Sequence, residues 1–289
     1  MRLVFLGTPA PAVPSLRALL DAGHEIVLVV SQPDRRRGRG SDTSPSPVKE
    51  FALSRGLPVS ERVEDVLSVS AERGVVVAYG ALLRSNVLEH LEFLNVHFSL
   101  LPRWRGAAPV ERAILAGDDV TGVSIMAVGE ELDAGPVFAT ETVPLAERYA
   151  DEVLEDLAER GARLLVEVLG DPERLAHPVE QVGEVTYAKK LSPETFRLSP
   201  EMTVDEALRV VRLGRSVLVV DGRRLRVLSA SASSATPGPG RLDVAGESVR
   251  AGVRDGALVL ERVVPEGSRA MTARSWWDGA RYVAPPVWL

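Results

Sequence analysis

The chain of 289 residues contains no cysteine. Disulfides, zinc–thiolate sites, iron–sulfur clusters and a thiol nucleophile are therefore excluded. Histidine is scarce: His24, His90, His97 and His177 are the four present. None pairs with another at metal-ligand spacing, so no catalytic metal is expected. No run reaches the roughly 18 apolar residues of a membrane span, and the opening MRLVFLG is too short for a signal peptide. The expectation is a cytoplasmic protein without membrane contact. No G-x-G-x-x-G follows the first apolar run, so a dinucleotide fingerprint is missing as well.

What is present is ordinary globular material, 45% hydrophobic and 26% charged, and long enough for one large or two ordinary domains. The net charge of −6 argues against a general nucleic-acid binder. The charge is uneven, however. Residues 201–289 hold 13 Arg against 10 Asp plus Glu, a balance of +3, which leaves −9 for the remainder. The stretch Asp34-Arg35-Arg36-Arg37-Gly38-Arg39-Gly40 is strongly basic. Two local basic regions on an acidic chain suit a selective RNA partner better than loose backbone binding, with a solvated surface as the plainer alternative.

Short apolar runs at Leu3–Leu6, Ile26–Val30, Val75–Ala78 and Phe93–Phe98 read as buried strands. Between and after them, helical spacing appears at Pro14–Ala22, Val48–Arg55, Ala108–Ala116 and Asp151–Leu169. Val120–Val128 and Val137–Val143 read as paired strands flanking the turn GEELDAGP. The alternation predicts an α/β domain over residues 1–179 with an open, mostly parallel Rossmann-like sheet, whose ligands bind beyond the carboxyl ends of its strands. The Pro/Gly/Arg/Ser loop from 31 to 47 is long for a compact domain, which favours a functional role. Residues 180–200 read as a linker. A helix is predicted over Val204–Arg212, and short β runs at even spacing from Ser216 onward predict a small β-barrel within 201–289.

The chemistry concentrates in NVHFSLLPRWRGAAPV, residues 95–110. On a strand, residues i and i+2 face the same way, roughly 6–7 Å apart, so Asn95 and His97 share a face while Val96 and Phe98 anchor the other. Asn95 can donate to a carbonyl oxygen that becomes anionic, and His97 can donate or pass a proton. Asp133, in the turn ELDAGP, can support His97 or accept a proton from an attacking amine. Ser99-Leu100-Leu101-Pro102 is a rigid apolar turn whose backbone groups suit a heterocycle of mixed donors and acceptors. A bare Asn-x-His pair is also compatible with a satisfied polar pair at a sheet end, and Ser99–Pro102 with an apolar plug. Trp104 reads equally as a surface stack or a packing wedge, and Arg105 as structural.

The flanking residues narrow these alternatives. NVHFSLLPRWRGAAPV, followed by TGVSIM (121–126) and LDAGP (132–136), resembles the folate-dependent formyltransferases, and among them those acting on methionyl-tRNA. FLGTPAPAVPSLRALL, the loop from Gln32 to Lys49, VVVAYG (75–80) and VTYAKKLSPE (185–194) share the resemblance, which covers nearly all of residues 1–195. It implies catalytic roles for Asn95, His97 and Asp133, and a folate-binding turn at Ser99, Leu100, Leu101 and Pro102. It further implies 10-formyltetrahydrofolate as formyl donor and the α-amine of initiator methionyl-tRNA as acceptor. The tRNA would be met by Arg35, Arg36, Arg37, Arg39 and Lys49 and by an OB-like C-terminal barrel, in a protein expected to act as a monomer. Gly40-Ser41-Asp42-Thr43 stands where the family usually has lysines, which implies fewer phosphate contacts there. Arg212–Ser216 replaces a segment that is commonly aromatic and proline-rich. A sugar-nucleotide N-formyltransferase would share the donor and the catalytic trio, but needs neither the basic loop nor the barrel.

Overall fold

The computed structural model describes residues 1–36, 43–282 and 286–289. It comprises two compact units. The first is Met1–Val110, Val120–Pro144 and Val153–Lys189; the second is Glu111–Asp119, Leu145–Glu152 and Lys190–Leu289.

In the first unit, β1 (Arg2–Gly7), α1 (Val13–Asp21) and β2 (Glu25–Val30) open an α/β alternation. A short hairpin of β3 (Arg35–Arg36) and β4 (Thr43–Ser44) leads into α2 (Pro47–Ser54) and β5 (Val59–Ser60). Then come β6 (Arg73–Val77), α3 (Ser85–His90), β7 (Phe93–His97), β8 (Arg105–Gly106) and α4 (Pro109–Ala116), of which Glu111 onward belongs to the second unit. The chain continues through β9 (Val120–Ala127), β10 (Val137–Pro144), α5 (Ala150–Leu169), α6 (Pro172–Ala176) and β11 (Tyr187–Ala188).

The central sheet has the order β10-β9-β7-β6-β1-β2-β5. Pairings from β7 through β5 are parallel, and β9 runs antiparallel to both β7 and β10. This is the mostly parallel α/β sheet that the alternating runs predict. Its inner strands are buried on both faces, with Leu3, Val4, Phe5 and Leu6 of β1 all at 0% exposure, hence the continuous apolar runs rather than alternation. Helix α5 covers one face with Val153, Leu157, Leu165 and Val168. Gly161 permits the close approach: a Cβ there would fall 2.7 Å from Val96 and 2.9 Å from Val123. Val96 therefore faces α5, and its neighbours Asn95 and His97 face the other way.

The second unit contains α7 (Val204–Val211), started by a capping box in which Thr203 and Glu206 exchange side-chain and backbone hydrogen bonds. An antiparallel sheet follows in the order β12 (Val217–Val220), β13 (Arg223–Ser233), β16 (Gly256–Pro265), β15 (Ser248–Val253), β14 (Leu242–Ala245). The strand β17 (Met271–Thr272) adds to β16, and α8 (Ala273–Ala280) packs near the end of the chain. The last residues close the curl. Leu289 exchanges backbone hydrogen bonds with Val219 on β12, while Trp288 donates to the Gly240 carbonyl and Pro286 accepts from Leu242 beside β14. Both sheet edges are thus covered, and the Trp288 side chain fills the core at 0% exposure. The expected small barrel is present. Its tail closure and the strands β14 and β17 were not anticipated.

Candidate active site

Asn95 and His97 project from β7, and Ser124 on β9 stands in register opposite His97. The loop after β9 leaves the sheet level with Phe93, whose carbonyl accepts the Val128 N–H at 2.8 Å. It then turns so that Asp133 lies against Asn95 and His97. Asp133 has a left-handed backbone, φ +50°, which an Asp tolerates better than most residues. Its Oδ2 accepts the Gly106 N–H at 2.8 Å, and its Oδ1 accepts from Asn95 Nδ2 at 3.5 Å. The His97 Nδ1 to Asp133 Oδ2 distance is 3.7 Å. The three predicted catalytic side chains thus converge.

The protonation pattern of His97 follows from its other partner. Nε2 lies 2.9 Å from the Trp104 carbonyl oxygen. A carbonyl only accepts, so Nε2 carries the hydrogen. Nδ1 is then the nitrogen facing Asp133, and it gains a proton only as imidazolium. The ring is 6% exposed, so its orientation is fixed by packing as well as by that bond.

These residues line a cavity of about 520 Å³. Its other walls are Pro9, the turn Ala78–Leu82 after β6, Phe98, Ala107, Pro109 and Leu132. Tyr79 is buried and its phenol is pushed up from the ordinary value, chiefly by burial. Leu82 and Leu132 are 76% and 45% exposed, and give the mouth an apolar rim. A cavity of this size with a few convergent polar groups is typical of a small-molecule site. Among the described residues, no group of three or more His, Asp or Glu is placed to hold a metal ion.

The turn Ser99–Pro102 adjoins this cavity without lining it. Ser99 and Pro102 are buried, and the Leu100 side chain packs onto Gly122 of β9. Ser124 Oγ donates to the Ser99 carbonyl at 2.7 Å and accepts the Leu101 N–H at 3.3 Å. Ser99 Oγ donates to the Arg103 carbonyl at 2.6 Å. The turn is a braced wall behind His97.

The basic loop is only partly described. Arg35 and Arg36 form backbone rungs with Ser44 and Thr43, while Arg37 and Arg39 lie outside the described residues. Lys49, expected among the tRNA-binding residues, donates to Asp34 at 2.9 Å and Glu61 at 2.7 Å. Those two carboxylates, Glu61 foremost, raise its pKa. Lys49 ties the loop base to α2 and the segment after β5.

Sequence reasoning missed the residues that hold the site together. Thr186 Oγ1 accepts the Trp104 N–H at 2.9 Å, and the Ala188 carbonyl accepts from Ala107 and Ala108. The Thr186 carbonyl accepts the Arg105 N–H, and β11 pairs with β8. The segment read as linker thus begins inside the first unit. Arg105, 8% exposed, is structural as expected, with its guanidinium on Gln181 and Glu131.

An amide, an imidazole and a carboxylate around one cavity on an open α/β sheet equip the protein to transfer an acyl-type group to a nucleophile. The chain belongs to the formyl transferase family: the family profile matches residues 1–169, and the profile of the formyl transferase C-terminal domain matches 190–281. It is 41% identical over 300 residues to the methionyl-tRNA formyltransferase of Thiobacillus denitrificans, covering 96% of both chains. It is 40% identical to the enzyme of that name from Thermobifida fusca, covering 97% of both. The structure of HypX from Aquifex aeolicus in complex with tetrahydrofolic acid shares the fold. That match has a TM-score of 0.69 at 19% identity and covers 99% of this chain and 50% of that one.

Proposed function

We propose that the protein transfers a formyl group from 10-formyltetrahydrofolate to the α-amino group of methionine on initiator methionyl-tRNA. The observation that carries this reading is the convergence of Asn95, His97 and Asp133 on one cavity, in a chain about 40% identical to methionyl-tRNA formyltransferases along its length.

In this reading the neutral amine attacks the formyl carbon. A C–N bond forms to the amine, and the developing oxyanion is held by Asn95 Nδ2 and by His97, protonated or hydrogen-bonding. Asp133, held by Gly106, accepts the proton that the amine sheds. The bond from the formyl carbon to the folate N10 then breaks, and the proton ends on that nitrogen as tetrahydrofolate leaves. Each oxyanion donor is worth about 10²–10³ in rate. No covalent enzyme intermediate is required.

The donor is assigned to the cavity between the Ala78–Leu82 turn and Asp133, with its apolar rim on the heterocycle. Ser99, Leu100, Leu101 and Pro102 complete the donor side, backing His97. The tRNA is assigned to Arg35, Arg36, Arg37 and Arg39 and to the barrel of residues 201–289, with residues 1–179 as the catalytic domain. Lys49 acts on the tRNA through the loop it anchors. No described helix is long and apolar enough to cross a membrane, and a cytoplasmic, monomeric enzyme of translation initiation fits this reading.

The test is formylation of charged initiator tRNA with 10-formyltetrahydrofolate as donor. Wild type is expected to yield formyl-methionyl-tRNA. Asp133→Asn, which keeps the Gly106 hydrogen bond but removes the base, is expected to lose about 10²–10⁴ in rate. Formylation of an amino sugar with none of methionyl-tRNA would overturn the acceptor assignment, and a near-normal Asp133→Asn would overturn the role of the carboxylate.

A further inference from the structure

We infer that Gln181 is a positioning residue for the formyl transfer. It holds the Asp133 turn so that the carboxylate stands just off Asn95 and His97, leaving room for the attacking amine. The inference rests on the function proposed above.

Every hydrogen-bonding position of the Gln181 amide is in use. Nε2 donates to the Asp133 carbonyl at 2.9 Å and to the Gly135 carbonyl at 2.8 Å. Oε1 accepts from Arg105 Nε at 3.0 Å and from Arg105 Nη2 at 2.8 Å. Two donor hydrogens meet two carbonyls, and two lone pairs meet two N–H groups, the full capacity of a primary amide. Arg105 is fixed in turn by Glu131 at 3.3 Å and by its backbone bond to Thr186. The next residue, Gly106, donates to the Asp133 carboxylate. Asp133 is thus tied to β8 twice: its side chain directly through Gly106, its backbone through Gln181 and Arg105.

The geometry of the turn shows what those ties resist. Asp133 is in the left-handed region, a conformation that persists only when its surroundings over-determine it. Its two carboxylate oxygens lie 3.5 Å from Asn95 and 3.7 Å from His97. Both separations exceed those of a tight charge-assisted bond. A small rotation of the turn would close Asp133 onto His97 and spend the base and the oxyanion donor on each other. Gln181 opposes that closure by gripping carbonyls on either side of Ala134.

Two variants test this in the formylation assay with initiator methionyl-tRNA. Gln181→Met keeps the volume and removes all four hydrogen bonds. It is expected to lower kcat by about 10²-fold, the usual cost of an ångström-scale misplacement, with KM for the tRNA within about twofold of wild type. Gln181→Glu keeps an acceptor for Arg105 but faces two carbonyls without a donor. It should be comparably impaired at neutral pH. Its rate relative to wild type should rise as the pH falls, because the protonated carboxyl regains one donor. The charged groups of this network are Arg105, Glu131 and Asp133, with His97 beyond the carboxylate, and taking the ratio to wild type cancels their own titration to first order. A wild-type kcat in Gln181→Met, losses confined to KM, or a ratio for Gln181→Glu that is flat with pH would overturn the inference. Should Gln181→Met fail to fold, the pH dependence of Gln181→Glu decides alone. Failure of the underlying function is seen separately, as a wild-type enzyme that forms no product.

Discussion

Replacing Gly161 by alanine sets two effects of known size against each other. In the interior of a helix, alanine is favoured over glycine by about 1 kcal/mol, and α5 is continuous through this position. Against that gain, the new methyl would sit 2.7 Å from Val96 Cγ1 and 2.9 Å from Val123 Cγ2. Both valines are buried, at 2% and 0% exposure. Both are β-branched residues on strands, with little rotamer freedom to escape. Overpacking of this kind costs about 1–3 kcal/mol. The contact involves two stiff partners at once, so the upper half of that range applies. The net expectation for Gly161→Ala is a destabilisation of about 1–2 kcal/mol, or a fall of several degrees in Tm at roughly 2–4 °C per kcal/mol. Denaturant midpoints followed by circular dichroism would measure it. The double variant Val96→Ala/Gly161→Ala should lose less than the sum of the single changes, by a coupling of about 1 kcal/mol or more. Val96 stands between Asn95 and His97, so pressure on it moves both. The turnover of Gly161→Ala should therefore fall by about tenfold or more even where the protein is fully folded. A variant as stable and as active as wild type would show that α5 has room to spare, and would refute the reasoning.

Two further outcomes are expected. Ser124→Ala leaves the buried Ser99 carbonyl and the Leu101 N–H without their side-chain partner, so it should cost about 1–3 kcal/mol of stability, read from the denaturant midpoint; no change would mean that the turn stands without this brace. Lys49→Met removes the ammonium between Asp34 and Glu61, whose partners raise its pKa. A raised pKa contributes stability that is complete below the unperturbed value of about 10.4 and is lost as pH rises through the folded value. The variant should thus be less stable than wild type at neutral pH, with the gap closing in strong alkali. A gap that persists unchanged there would assign the loss to packing instead.

The elements legible in the sequence are those whose signal is carried by near neighbours. Ile26–Val30 and Val75–Ala78 read as buried strands because they are uninterrupted apolar runs rich in β-branched valine and isoleucine, and both fall in the central sheet. The helix over 151–169 follows from apolar spacing, and the helix expected over Val204–Arg212 is α7, Val204–Val211. β14 and the closing residues 286–289 give no such signal. Four residues with an aspartate among them, and a tail pairing through single rungs, have no periodicity to detect. The site divides along a related line. Asn95, His97 and Asp133 stand out because their chemistry resides in the side chain. Lys49 stands out by its charge too, but its partners, carboxylates 15 and 12 residues away, give no signal near it in the sequence. Gln181 gave no signal at all, since it works through the carbonyls of Asp133 and Gly135, 48 and 46 residues away. Any residue supplies a carbonyl, so no pattern of side chains could mark those partners. The consequence is experimental. In this protein, substitutions selected by side-chain chemistry will find the groups that react, whereas the groups that hold them at 3.5 and 3.7 Å will emerge only from variants, such as those at Gln181, Gly161 and Ser124, chosen for the backbone they touch.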